Sequence, residues 1–138
     1  MLTLDMNKVN NGVIREYHEA NQDGTIPWVK IAHKGDANRR YLMRKEALLK
    51  PHRRKLQLGT MPEFEAQNLL RQAFIDVVLL DWGNFQPNDD GEVVKYTPKD
   101  AEHYLSMPEF FPFWDWMDNE AASFEAFRQE KLKEEVGN

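Results

Sequence analysis

The chain has 138 residues, 41% hydrophobic and 30% charged, with no cysteine and a formal net charge of −5. A chain of that length buries roughly two thirds of its unfolded surface as one domain, and its charge content excludes a bilayer-embedded protein, since no apolar run approaches the ~20 residues that span a membrane. The lack of cysteine excludes disulfides and thiolate metal sites and agrees with a reducing compartment.

Residues 1–11 are polar, carry neither the basic region nor the apolar core of a signal peptide, and read as a flexible arm. Residues 13–17 and 28–32 are short runs of β-formers. The turn chemistry of Asn21-Gln22-Asp23-Gly24 between them predicts a β-hairpin over 12–32. Pro27 stands at the start of its second strand, where a missing N–H does least harm.

Helical character follows over 36–82. Asp36 is the expected N-cap of a basic amphipathic helix carrying Tyr41, Leu42, Glu46, Leu48 and Leu49. Pro51 breaks it, and a short piece over 52–58 ends at Gly59. Pro62 then opens the element expected to organise the fold. Ala66, Leu69, Leu70, Ala73, Phe74, Val77 and Val78 recur at spacings of three and four, one face of a helix running to Trp82. Glu63 and Glu65 suit its positive end, and Gly83 suits its exit.

Residues 83–97 read as a loop with a short strand at Val93, Val94 and Tyr96. Thr97-Pro98-Lys99-Asp100 is a helix start, with Thr97 as N-cap and Pro98 in the first turn. Residues 98–130 are helical, interrupted at Pro108 and resuming near Pro112, with Phe113, Trp116, Met117, Phe124 and Phe127 on one face. Residues 131–138 read as a frayed, charged tail. The expected fold is mainly α within the α+β class, a single domain over 1–138. It consists of an N-terminal β-hairpin followed by a small helical bundle around one central helix.

Charge is unevenly placed. Residues 34–55 hold nine Lys/Arg against two acids, whereas 81–138 hold fourteen acids against five Lys/Arg. That polarity predicts docking of the two regions on each other or head-to-tail contact between copies, and so a possible homo-oligomer. Arg39, Arg40, Arg44, Lys45, Arg53, Arg54 and Lys55 form the candidate basic face. It has one interleaved aromatic, Tyr41, in an acidic protein, which disfavours nucleic acid as its partner.

Catalytic chemistry is not legible. His18, His33, His52 and His103 lack metal-ligand spacing, and the loop at Gln86, Asn88, Asp90 and Gly91 lacks the acids of a calcium site. No nucleophile elbow, phosphate loop or dinucleotide fingerprint occurs, so neither an enzyme nor a cofactor is expected. Aromatic residues are the stronger signal. Phe110, Phe111, Phe113, Trp114 and Trp116 put five rings into seven residues, more than a small core readily hides. Phe110, Phe111 and Trp114, with Trp82 and Tyr96, are the candidate partner-binding residues.

Motif order adds a resemblance. Val78-Leu79-Leu80-Asp81-Trp82 is followed by Asp89-Asp90-Gly91-Glu92-Val93-Val94-Lys95-Tyr96-Thr97-Pro98, then Pro108-Glu109-Phe110 and the aromatic helix. Upstream stand Gly35-Asp36-Ala37-Asn38-Arg39-Arg40-Tyr41 and Lys50-Pro51-His52-Arg53-Arg54. Over residues 12–127 this order resembles the tail assembly chaperones of long-tailed bacteriophages. The resemblance implies a non-enzymatic, cofactor-free, largely helical protein of the host cytoplasm, absent from the mature virion. Its partners would be the tape measure protein and tail tube protein, and some members self-associate. A virion-resident minor tail or connector protein is the alternative, and a nucleic-acid-binding phage regulator a weaker one.

Overall fold

The N-terminal β-formers pair as their spacing predicts. β1 (Val13–Glu16) runs antiparallel to β2 (Trp28–Ile31), with Val13 opposite Ile31 and Glu16 opposite Trp28. Asp23 closes the connection by accepting from the Thr25 backbone N–H at 3.0 Å. A third antiparallel strand, β3 (Leu79–Gly83), lies on the other side of β2, giving the order β1-β2-β3. The computed structural model describes residues 3–130, and the tail expected at 131–138 lies outside them.

The strand β3 corrects the expected main helix, which stops well before Trp82. That helix, α4 (Glu63–Ala73), passes into a π-helical turn, Phe74–Val78, and the chain then extends. Burial gives the reason. Phe74, Ile75, Val77, Val78 and Leu79 are all buried, with Asp76 alone exposed among them, and so many enclosed residues in succession exceed what the single apolar face of a helix covers. A π turn widens the last turn of a helix and redirects the chain.

The strand expected at 93–96 is absent among the described elements. That stretch is instead pinned along the sheet by single bonds. Trp82 Nε1 donates to the Val94 carbonyl at 2.9 Å, and the Tyr96 hydroxyl donates to the Leu79 carbonyl at 2.8 Å.

Residues 3–11 of the N-terminal arm are likewise ordered. Asp5 caps α1 (Met6–Asn11), accepting from the Asn7 and Lys8 N–H groups, and Val9 is fully buried. The Asp5 N–H donates to the Phe127 carbonyl, and Leu4 pairs with Arg128, so the two ends of the described chain are joined.

Asn38, not Asp36, caps α2 (Arg39–Leu49). Its side chain accepts from Tyr41 N–H at 3.3 Å and donates to the His33 carbonyl at 2.7 Å. A tight turn at Lys50–His52 leads to α3 (Arg53–Leu58), which ends on Gly59 in the left-handed region. Thr97 caps α5 (Pro98–Leu105) as predicted, accepting from Asp100 N–H at 3.0 Å. A second tight turn, Pro108–Phe110, precedes α6 (Phe111–Ala122). Ser123 breaks the last helix and caps α7 (Phe124–Phe127). Phe124 therefore leaves the face that Phe113 and Met117 bury and stands exposed, while Phe127 is buried.

These elements share one apolar cluster, with Ile31, Phe74, Val78, Leu105, Met117 and Phe127 among its most enclosed members. Among the described residues, no helix is long and apolar enough to cross a membrane.

Candidate functional site

Most of the aromatic surplus is hidden around a residue the sequence did not single out. Phe85 is buried, and its ring lies 4.4 Å from Trp82, 5.4 Å from Tyr104, 5.6 Å from Phe110 and 5.7 Å from Phe113, centre to centre. Ring pairs of this kind add about 0.5–1.5 kcal/mol each beyond area burial. Trp82, at 3% exposure, is core and not a partner-facing residue. Tyr96 packs edge-on against it and is half-buried, as is Phe110. For Trp82 this corrects its assignment as a partner contact, while Tyr96 and Phe110 pack on the same cluster and keep part of their surface exposed. Phe85 was legible only as an apolar residue alone in a polar loop.

Phe111 and Trp114 are different. On α6 residues 111, 114, 115 and 118 share one face, centred about 110° round the helix from the buried Phe113, Met117 and Ala121, and the two faces adjoin at Trp114. Phe111 is 38% exposed and Trp114 half-buried. With Gln67, Leu70 and Arg71 of α4, Tyr41 of α2 and Lys34 after β2, this face lines a cleft of about 400 Å³. Lys34 closes one end, its Nζ 2.6 Å from Asp118 Oδ1 and its backbone N–H donating to the Ala121 carbonyl. Tyr41 is buried, and burial, with Asp118 second, raises its hydroxyl above the ordinary tyrosine range.

Arg71 is the chemical centre of the cleft. It is only 7% exposed, and its guanidinium carbon lies 5.7 Å from the Phe111 ring centre and 5.6 Å from that of Trp114. Its Nη1 donates to Asn68 Oδ1 at 2.8 Å. Among the described residues, its Nε is the one buried side-chain nitrogen or oxygen without a hydrogen-bond partner, and it makes no ion pair. Burial lowers its pKa from the usual guanidinium value, but arginine stays charged in proteins. In the sequence its one mark is a place at the border of the apolar face, three and four positions before Phe74 and Ile75.

The candidate basic residues do not form one surface. At helical spacing, Arg39, Arg40, Arg44 and Lys45 are spread over more than half the circumference of α2. Arg44 Nε is 2.7 Å from Asp76 Oδ2, Lys45 lies over the Tyr41 ring, and Lys55 Nζ is 3.6 Å from Glu65 Oε1. Arg39, Arg40, Arg53 and Arg54 point to solvent. Only the Lys34–Asp118 pair ties the basic segment to the acidic C-terminal region among the described residues.

The four histidines are scattered. His33 is buried with its Nδ1 accepting from Gly35 N–H and its ring edge-on to Phe127, which lowers its pKa through desolvation. Among the described residues, no group of three or more His, Asp or Glu side chains is placed to hold a metal ion.

Further apolar side chains are exposed on α2, α3 and α4. All of α3 is without a buried residue, and Leu56 and Leu58 are exposed, as are Met43 on α2 and Phe64 and Leu70 on α4. Of these, Leu70 is also part of the cleft lining, and the Lys55–Glu65 pair ties α3 to the first turn of α4, where Phe64 stands. The arrangement offers apolar area, a buried cation and rim carboxylates.

Residues 36–138 match the protein family described as YdaY prophage protein. No curated protein and no solved structure matches the chain.

Proposed function

The chain belongs to the YdaY prophage protein family, and on that premise we propose that it is a tail assembly chaperone: it binds the tape measure protein and brings tail tube subunits to it in the host cytoplasm, leaving before the virion is complete. Three things support this reading. They are the prophage family, the order of motifs that resembles the phage chaperones, and the exposed apolar side chains of α3 and α4 with the α4–α6 cleft.

Helix α3 is the observation that carries it. None of its six residues is buried, and it presents Leu56 and Leu58, the latter 64% exposed, while the Lys55–Glu65 pair ties it to the first turn of α4, where Phe64 is 70% exposed. A helix so short is marginal without tertiary packing, and contiguous exposed apolar area on a soluble protein marks an interaction surface. A chaperone for a long apolar client requires such area, with flanking charge to keep the complex in solution. Arg53, Arg54 and Lys55 supply that charge on the same helix.

The test is co-expression of the tagged chain with the tape measure protein of the same prophage. The client is expected to stay soluble and co-purify, and Leu58→Glu with Phe64→Glu is expected to abolish capture while the variant keeps its fold. A tape measure protein equally soluble with and without the chain overturns the proposal. Mass spectrometry of purified particles separates the alternative: finding the chain there makes it a virion component.

A further inference from the structure

We propose that the cleft between α4 and α6 receives an acidic side chain of the partner polypeptide, its carboxylate pairing with Arg71 while the apolar residues beside it pack on Phe111 and Trp114. The inference rests on the chaperone reading only for the identity of the partner.

Three observations carry it. First, Arg71, only 7% exposed, has one neutral acceptor, Asn68, and an Nε without any partner among the described residues. Burying a cation without an anion is unfavourable, and the ring faces of Phe111 and Trp114 offset this only in part. A residue that weakens the free protein in this way is characteristic of a site completed by something else. Second, Phe111 and Trp114, whose ring centres stand 5.7 and 5.6 Å from the guanidinium carbon, line the same cleft as Arg71, so the cation borders the space that the partner would enter.

Third, the rim selects among anions. Asp115 and Asp118 line the same cleft, and Lys34 is already engaged by Asp118. A phosphate dianion or a nucleic acid backbone would meet the uncompensated Asp115. A single carboxylate on an apolar segment brings one charge to one arginine and fits the fork geometry of the guanidinium.

The experiment uses the full chain and three probes: a synthetic peptide of Leu, Ala and Gln with one central Glu, its twin with Gln in that place, and inorganic phosphate. Calorimetry gives affinities, and the Arg71 Nε–H resonance in the parent protein reports contact without any substitution. The Glu peptide is expected to bind about tenfold to a hundredfold more tightly than its twin and to shift that resonance. Phosphate is expected to do neither. The preference should vanish in Arg71→Met, shrink in Arg71→Lys, and grow in Asp115→Asn.

Equal affinity for the two peptides, or displacement of the Glu peptide by phosphate, overturns the proposal. So does a loss of self-association in Arg71→Met by sedimentation, which would make a second copy the occupant. Failure here is separable from failure of the chaperone reading. A tape measure protein captured equally by parent and Arg71→Met, with the peptides bound alike, removes the cleft and leaves the chaperone. A peptide preference that holds while the tape measure protein is not captured does the reverse.

Discussion

The Trp114 indole stands between Arg71 and Phe74, with its ring centre 5.6 Å from the guanidinium carbon and 4.8 Å, edge-on, from the Phe74 ring. One side chain thus joins the core to the cleft. Phe111, one turn earlier on α6, touches the same guanidinium at 5.7 Å but stands 38% exposed. The two rings share a contact and differ in how much of the fold depends on them.

Trp114→Ala is therefore expected to lower stability by about 2 kcal/mol, less than the 3–5 kcal/mol of a fully enclosed ring because the indole is half-buried. Phe111→Ala is expected to stay within about 0.5–1 kcal/mol of the parent. Urea denaturation of the two variants checks both values. Equal losses would mean that Phe111 is packed in solution and that the cleft is closed.

Buried Asn38 holds together the chain between β2 and α2 by accepting from Tyr41 N–H and donating to the His33 carbonyl. Asn38→Ala removes a helix cap and leaves a buried carbonyl short of a donor, for an expected loss of about 2–3 kcal/mol. Asp36→Ala, at the exposed position expected to cap the helix, should change stability by less than about 0.5 kcal/mol. Thermal unfolding of the pair decides the cap, and a larger loss for Asp36→Ala would reverse it.

Local chemistry made much of this fold legible. The hairpin followed from β-formers around Asn21-Gln22-Asp23-Gly24, and the start of α5 from Thr97-Pro98. Errors fell where tertiary burial overrode periodicity. Val77, Val78 and Leu79 continue a helical pattern, yet the sheet needed a third strand and took Leu79–Gly83 for it. The β-branched Ile75, Val77 and Val78 lie in the π turn before the strand, and Leu79–Gly83 itself contains no β-branched residue to announce it. At the candidate site, ring composition pointed to α6 but not to which rings the Phe85 cluster would consume. Arg71 was invisible because nothing in a single sequence marks a surface arginine from one enclosed by two aromatic faces.

Tyr96 links that hidden packing to pH. Its hydroxyl donates to the Leu79 carbonyl at 2.8 Å, and its pKa is pushed up to about 12, first by burial and then by Asp81 and Asp76. An unfolded tyrosine ionises near 10, so as pH rises the unfolded chain loses this proton before the folded one does. The stabilisation is complete below about pH 10 and is lost as pH climbs from about 10 to about 12. Partial solvent screening holds its size to about 1–2 kcal/mol. Tyr96→Phe should be about 1 kcal/mol less stable at neutral pH, through loss of the hydrogen bond, and should lack this part of the alkaline decline. Denaturant midpoints at about pH 8 and about pH 11 measure it. A variant as alkali-sensitive as the parent would mean that the Tyr96 hydroxyl is open to water and that the 84–97 segment does not hold its place on the sheet.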